Sequence, residues 1–303
     1  MISLVLSVIC SMGCSMVYKS IGDRDVDGDS VMVVNYVTGS LIAFILCQQA
    51  GIFTEIGQIG SFRVWESLVD SFRGNVTLES SICWCVVIGT LHGILFVANL
   101  MVMRYNIEKS GASLCTMFDA IGNMLPVLAA ILLFRELPGQ YQWMGIFLAF
   151  ASVFIANLQF GGGGVWNMQP ILLLESLFVG WMGINNKIFQ MCAYARYKNL
   201  LLLIVFLFAI ALSLWAFRKK KMKFRGREIA CGVIMGFPNM FSSFFLINAL
   251  KTVPAAIVYP INSAGKIVLT FIVCSIVFKE KLRKQEYTAI LLTIIGTVLV
   301  NLS

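Results

Sequence analysis

Ten stretches of this chain are each apolar enough, over about 20 residues, to cross a lipid bilayer, and that feature leaves few folds open. The stretches run near 1–19, 31–50, 81–103, 111–134, 140–158, 170–191, 199–217, 229–250, 254–278 and 285–302. In hydrocarbon every backbone N–H and C=O must find its partner within the protein, so such runs fold as helices or close into a barrel, and runs of this length are helical. A soluble globule is excluded: 59% of the residues are hydrophobic, 13% are charged, and the mean hydropathy is +0.86. The expected fold is an all-α integral membrane protein of ten transmembrane helices. The first run lacks a basic n-region and a small-residue cleavage site, so it reads as the first span rather than as a signal peptide.

The order of the runs contains a repeat. "LPVLAAILLFRELPGQYQWMGIFLAFASVFIANL" in the first half aligns without a gap on the end of the second half. Phe134-Arg135-Glu136 then falls on Phe278-Lys279-Glu280 and Asn157-Leu158 on Asn301-Leu302, each 144 positions on. A fainter echo puts Met12-Gly13 on Met182-Gly183. The Gly run 161–164 reads as a linker between a first five-helix repeat, 1–158, and a second, 165–303. Two copies of an odd number of spans insert with opposite orientation, and inverted repeats of this kind form transporter sites at the midplane between halves that rock.

One cation sits at that depth. Lys266 lies midway along the ninth run, beyond the reach of snorkelling, where a charge on a helix costs roughly 3 kcal/mol and marks a site by default. Tyr259, Asn262 and Lys266 recur at three- and four-residue spacing, which makes a polar stripe on one helix face. His92, the chain's one histidine, lies at the centre of the third span. It reads either as a neutral ring bonded across helices or as a proton carrier. Asp119 lies inside the fourth span and aligns with Ser263 in the repeat.

Ten spans, two five-helix halves and a Phe-(Arg/Lys)-Glu turn leading into a Gly-containing final helix in each half resemble the drug/metabolite transporter superfamily, EamA type. "YNIEKSGASLCTMFDAIGNMLPVLAAILLFRELP" carries the resemblance best, with "LKTVPAAIVYPINSAGKIVLTFIVCSIVFKEKL" as its second copy. The resemblance implies alternating-access transport, with substrates that range over amino acids, sugars, nucleotide sugars, choline and drugs. It also implies that Lys266 matches a ninth-helix lysine that meets an acidic group of the substrate in anion-handling members. Because the fourth and ninth helices of such proteins cross near the pseudo-twofold axis, Asp119 is expected across the cavity from Lys266, as its counter-ion or as a proton carrier. Asn185 and Asn186 fall on a sixth helix that resembles cavity-lining ones.

Loop charges give a topology. If the N-terminus is outside, the basic clusters "RYNIEK", "RKKKMKFRGR" and "KEKLRK" all fall inside, as Lys and Arg prefer; the resemblance implies both termini inside. The stripe Ile56, Ile59, Phe62, Trp65, Leu68 and Phe72 predicts an amphipathic interfacial helix between the second and third spans. "DRDVDGDS" opens like a calcium loop, yet its twelfth position is Val34, so an acidic turn ending in the helix cap Ser30 is expected. Glu175 and Lys187 are read as lying near span ends and within reach of water. Nine cysteines show no metal spacing. Asn75 opens a glycosylation sequon that matters only in a eukaryotic secretory setting.

The expected function is secondary transport of a small polar or ionised metabolite, with Lys266, Asn262, Tyr259, Asn185 and Asn186 binding substrate and Asp119 or His92 carrying a coupled proton. No ATP-binding motif is present, so a gradient or an exchange ion would drive it. Expected partners are the substrate, the bilayer and at most a second copy of the chain, as a monomer or homodimer, with no nucleic acid, metal or cofactor. A bacterial inner membrane suits the composition. Two other classes are an intramembrane enzyme around His92, Asp119 and Lys266, and a non-transporting sensor or scaffold. No nucleophile and base stand at recognisable spacing for the enzyme.

Overall fold

The computed structural model describes residues 2–22, 26–57, 64–110, 118–119, 121–157, 170–218, 222, 224–277 and 284–301. Among them the secondary structure is helical, with no strand. In chain order the helices are α1 (Ile2–Gly22), α2 (Gly28–Gln49), α3 (Ile52–Gly57), α4 (Val64–Phe72), α5 (Leu78–Ser110), α6 (Met124–Leu132), α7 (Gln140–Asn157), α8 (Pro170–Cys192), α9 (Lys198–Phe217), α10 (Gly226–Ala249), α11 (Ala255–Val277) and α12 (Lys284–Asn301). A 3-10 turn, Ala195–Tyr197, precedes α9. By length and hydropathy, four described segments suffice to cross a membrane: Gly28–Gln49, Leu78–Met103, Ala195–Phe217 and Gly226–Ala249. Of the expected fourth span, 111–117 and 120 lie outside the described residues, and α6 supplies its second part.

The chain forms two compact units. The first comprises residues 1–12, 98–184 and 252–303. In it α7 packs along α12, and α11 packs on α6, α7 and α12. The Phe-Arg-Glu turn after α6 explains its own composition. Arg135 takes a left-handed backbone (φ 52°), and the Glu136 N–H reaches back to the Ala130 carbonyl at 3.0 Å, which closes the helix end as a Schellman turn does. The Glu136 carboxylate then accepts the Ala255 N–H at 2.9 Å. It thereby satisfies a free donor at the start of α11 and sets a negative charge at the positive end of that helix. The aligned Phe278-Lys279-Glu280 lies outside the described residues.

The second unit comprises residues 13–97 and 185–251, with α2 packed on α9 and α10. It is held by close backbone approach. Gly232 and Gly236, one turn apart on α10, face Val34 and Thr38, one turn apart on α2, where an added Cβ would lie 2.5 Å from each. Gly89 and Gly93 on α5 meet Ile204 and Phe208 of α9 in the same way. Helices without side chains at the contact approach until their backbones touch, which is how dispersion drives association when lipid is as apolar as the protein. Tyr36, Phe96 and Phe206 fill the remaining space, with ring centroids 5.6–6.4 Å apart.

Three local expectations change. The cap of α2 is Asp27 rather than Ser30; Ser30 sits in the first turn and bonds back to the Asp27 carboxylate, while the Asp27 N–H donates to Glu228. Asp23 and Asp25 lie outside the described residues. α5 runs on to Ser110, through the segment read as a basic loop, because no Pro or Gly interrupts it between Gly93 and Gly111. The interfacial stripe appears as α3 and α4, with Trp65 and Phe72 exposed and Phe62 and Ile59 outside the described residues.

Candidate functional site

The first unit carries Asp119, Glu175 and Lys266 on its apolar helices. Phe118, Ile121 and Leu172 form an apolar cluster that draws the start of the fourth span against α8. The approach is very close: a Cβ on Gly122 would lie 2.4 Å from the Ser176 carbonyl oxygen, and one on Gly180 would lie 2.7 Å from the Gly122 carbonyl oxygen. Asp119, beside Phe118, and Glu175, one turn beyond Leu172, are carried into the same interface. Glu175 is completely buried and accepts a short hydrogen bond from Asn106 Nδ2, whose residue is also completely buried. The same nitrogen reaches the Ile171 carbonyl at 3.3 Å.

Lys266, half-buried on α11, acts electrostatically on both carboxylates. Its own helix is held nearby by Ala264 packed on Ala149 and by Asn123 Nδ2 donating to Ser263 Oγ at 2.7 Å. Among the described residues, one oxygen each of Asp119, Glu175 and Asn106 is buried without a hydrogen-bond partner. Such atoms cost about 1–3 kcal/mol each, more where charged, so the cluster is held at the expense of stability. It is chemically suited to binding a polar or charged group in a low-dielectric setting.

The polar stripe of α11 divides. Tyr259 is buried, and its hydroxyl donates to the Gly183 carbonyl at 2.7 Å, which ties α11 to α8. Asn262 Oδ1 accepts from Ser7 Oγ at 3.3 Å. Pro260 between them has no N–H, so the Ala256 carbonyl loses its usual helical donor.

Asn185, Asn186 and His92 belong to the second unit. Asn186 and His92 line a crevice with Phe96, Leu201, Val205, Phe206 and Ser243, with room for about one water molecule. His92 Nδ1 and Asn185 Nδ2 are buried and unpartnered. Lys187 is also buried and donates to Gln190 at 2.7 Å, rather than snorkelling to water as expected.

Two residues of the cluster escape sequence reasoning. Glu175 was placed within reach of water by its position near the start of its span, whereas the helix packs it against Asn106 and Asp119. Asn106 lay in a segment read as loop. The uninterrupted helical run after Gly93 was the available signal for Asn106; for Glu175 only tertiary packing supplies one.

Residues 170–302 match the model of the EamA-like transporter family. The chain is 21% identical over 297 residues to an uncharacterized protein of Haemophilus influenzae, covering 96% of this chain and 94% of that protein. A solved crystal structure shares the fold with a TM-score of 0.68 at 14% identity, over 99% of this chain and 96% of the other. The drug/metabolite transporter resemblance of the sequence therefore holds, and the chain is an integral membrane protein whose second half is similar to that transporter family.

Proposed function

Because residues 170–302 carry an EamA-like transporter domain, we propose that the chain is a secondary active transporter that moves a small polar or ionised metabolite by alternating access. Its plan is ten helices in two inverted five-helix repeats, 1–158 and 165–303, and its residence is a bacterial inner membrane. The observation that carries the reading is the close contact of the fourth span with α8, where Glu175 is completely buried against Asn106, and Asp119 and Lys266 act on it electrostatically. A purely structural element gains little from such a cluster, since buried ion pairs seldom stabilise more than apolar packing does. A transporter needs it to exchange water for substrate at the midplane.

The repeat has support in packing as well as in sequence. α7 spans 140–157 and α12 spans 284–301, so both ends are separated by 144 positions. Thr293 donates to Ser152 Oγ at 2.9 Å. Shifting that pair by the repeat and exchanging its members gives Gly296 and Ala149, and a Cβ on Gly296 would lie 3.4 Å from the Ala149 nitrogen. Reciprocal contacts of this kind are what a twofold relation between the two helices produces.

In this reading Lys266 and Asn262 meet the substrate, and Asp119 balances Lys266 when the site is empty. The test is a thermal-shift screen of the purified chain in detergent against a metabolite library. It compares wild type with Asp119→Asn/Lys266→Met, which removes both charges together and leaves neither alone. A ligand at 100 times its Kd stabilises the folded state by about 2.7 kcal/mol. One chemical class raising the melting temperature of wild type alone, and then entering proteoliposomes, is the expected result. Equal shifts in both proteins overturn the assignment of the site, and hits that never cross the membrane overturn transport.

A further inference from the structure

The sequence suggested Asp119 or His92 as the group that carries a coupled proton, and the structure redirects that role. Among the described side chains, two carboxylates, Asp119 and Glu175, interact with one ammonium, Lys266. If all three are ionised, one negative charge stays uncompensated in the membrane interior, which is the costliest arrangement available to the site. One added positive charge restores neutrality.

The two carboxylates are not equivalent. Asp119 is half-buried and has Lys266 as an opposite charge acting on it, whereas Glu175 is completely buried. At Glu175 the hydrogen bond to the carboxylate comes from the neutral amide of Asn106 and not from a cation. Asp119 and Lys266 are the charged groups acting on Glu175 among the described side chains, which do not include those of Arg104, Glu108 and Lys109 on α5; Asn106 and the Ile171 backbone are polar neighbours. Glu175 is completely buried, Oε2 is engaged by Asn106, and Oε1 is buried without a partner. His92 lies in the second unit in a crevice lined by apolar and neutral side chains, with no carboxylate among them.

We propose that Glu175 is the group that takes up and releases the proton coupled to transport, while Asp119 remains the standing counter-ion of Lys266. This deepens the transporter reading and rests on it. A proton from water on one side binds Oε1, forming one O–H bond and leaving the cluster neutral as an acid beside an ion pair. The same bond breaks when the site opens to the other side and the proton returns to water. A neutral cluster crosses the occluded state at lower electrostatic cost than one with net charge, and this couples protonation to the conformational step. Asn106 is a positioning residue: its amide holds Oε2 and leaves Oε1 as the oxygen that receives the proton.

Infrared difference spectroscopy of the full chain in lipid tests the assignment without a known substrate. Spectra are taken as pH falls from mildly alkaline to mildly acidic, in the carbonyl region where a protonated carboxyl absorbs. The expected result is one buried carboxyl band that titrates in wild type, is absent in Glu175→Gln and persists in Asp119→Asn. Glu175→Gln has the shape of the protonated acid, so it is expected to fold. Should it fail, Asn106→Ala gives a second readout, because loss of its hydrogen bond changes the frequency of a Glu175 band and leaves an Asp119 band in place. A band that disappears in Asp119→Asn and survives in Glu175→Gln overturns the proposal, as does a wild type with no titrating band. Neither outcome touches the transporter reading, whose test is the metabolite screen and passage into proteoliposomes.

Discussion

The two compact units solve the same problem, holding helices together in an apolar solvent, by opposite means. The second unit relies on close approach: Gly232 and Gly236 let α10 touch α2, where Asn239 also donates to Asn35 at 3.1 Å, Gly89 and Gly93 let α5 touch α9, and Tyr36, Phe96 and Phe206 fill the gaps. The first unit also brings backbones together, at Gly122 and Gly180, yet it sets Asp119, Glu175, Asn106 and Lys266 beside that contact. Close packing alone would serve both. Both units bury polar groups, and the first adds the cost of setting two carboxylates beside one ammonium; function is where such costs are tolerated.

The largest expected effect sharpens that contrast. Lys266→Ala leaves two carboxylates without their cation. Breaking a buried pair costs about 3–5 kcal/mol, and the half-buried position of Lys266 puts the loss toward the lower end. The loss should be largely recovered in Asp119→Asn/Lys266→Met, as measured by thermal unfolding in detergent. A single variant as stable as wild type would mean that the three charges do not form one site.

Next come the glycine contacts of the second unit. Gly232→Ala and Gly236→Ala each drive a methyl into the side chain of Val34 or Thr38 on α2, and overpacking of this kind costs about 1–3 kcal/mol. The surviving folded protein should bind any screened metabolite with unchanged affinity, because neither glycine belongs to the charged cluster. Loss of binding without loss of stability would break the division of labour between the units. Smaller again, Glu136→Gln keeps the shape of the turn after α6 but removes the charge at the start of α11. A loss of about 1 kcal/mol is expected from the weakened cap, again read by unfolding.

Helix placement was legible wherever periodicity or the repeat spoke directly. α7 and α12 follow the gapless alignment end for end, and Lys266 announces itself by standing alone in an apolar run. Legibility failed where burial depends on a neighbouring helix. Glu175 and Lys187 sit near span ends, where a lone helix would let them reach water, yet both are buried by packing that no local pattern encodes. Asn106 was hidden by its charged neighbours: Arg104, Glu108 and Lys109 look like loop, while the absence of any Gly or Pro kept the helix going. Tyr259 had the right face for a ligand, but its hydroxyl is engaged by the Gly183 carbonyl, an acceptor far away in sequence.

The smallest effect compares like chemistry at two depths. Arg196 and Glu55 form an ion pair at 2.7 Å at an exposed edge of the second unit, where Arg196 also donates to the Ala50 carbonyl at 2.8 Å and Tyr197 donates to Glu55. Water and salt screen such a pair, whose worth is about 0–1 kcal/mol. At physiological ionic strength the Debye length is about 8 Å, and at 1 M salt it is about 3 Å. Arg196→Gln should therefore lower the melting temperature slightly at low salt and hardly at all at high salt. The loss in Lys266→Ala should persist at both, because ions do not enter an apolar interior to screen it. If the Lys266 effect also fades with salt, the cluster is open to bulk water in the resting protein and its charges are screened, which would remove the electrostatic cost on which proton coupling at Glu175 depends.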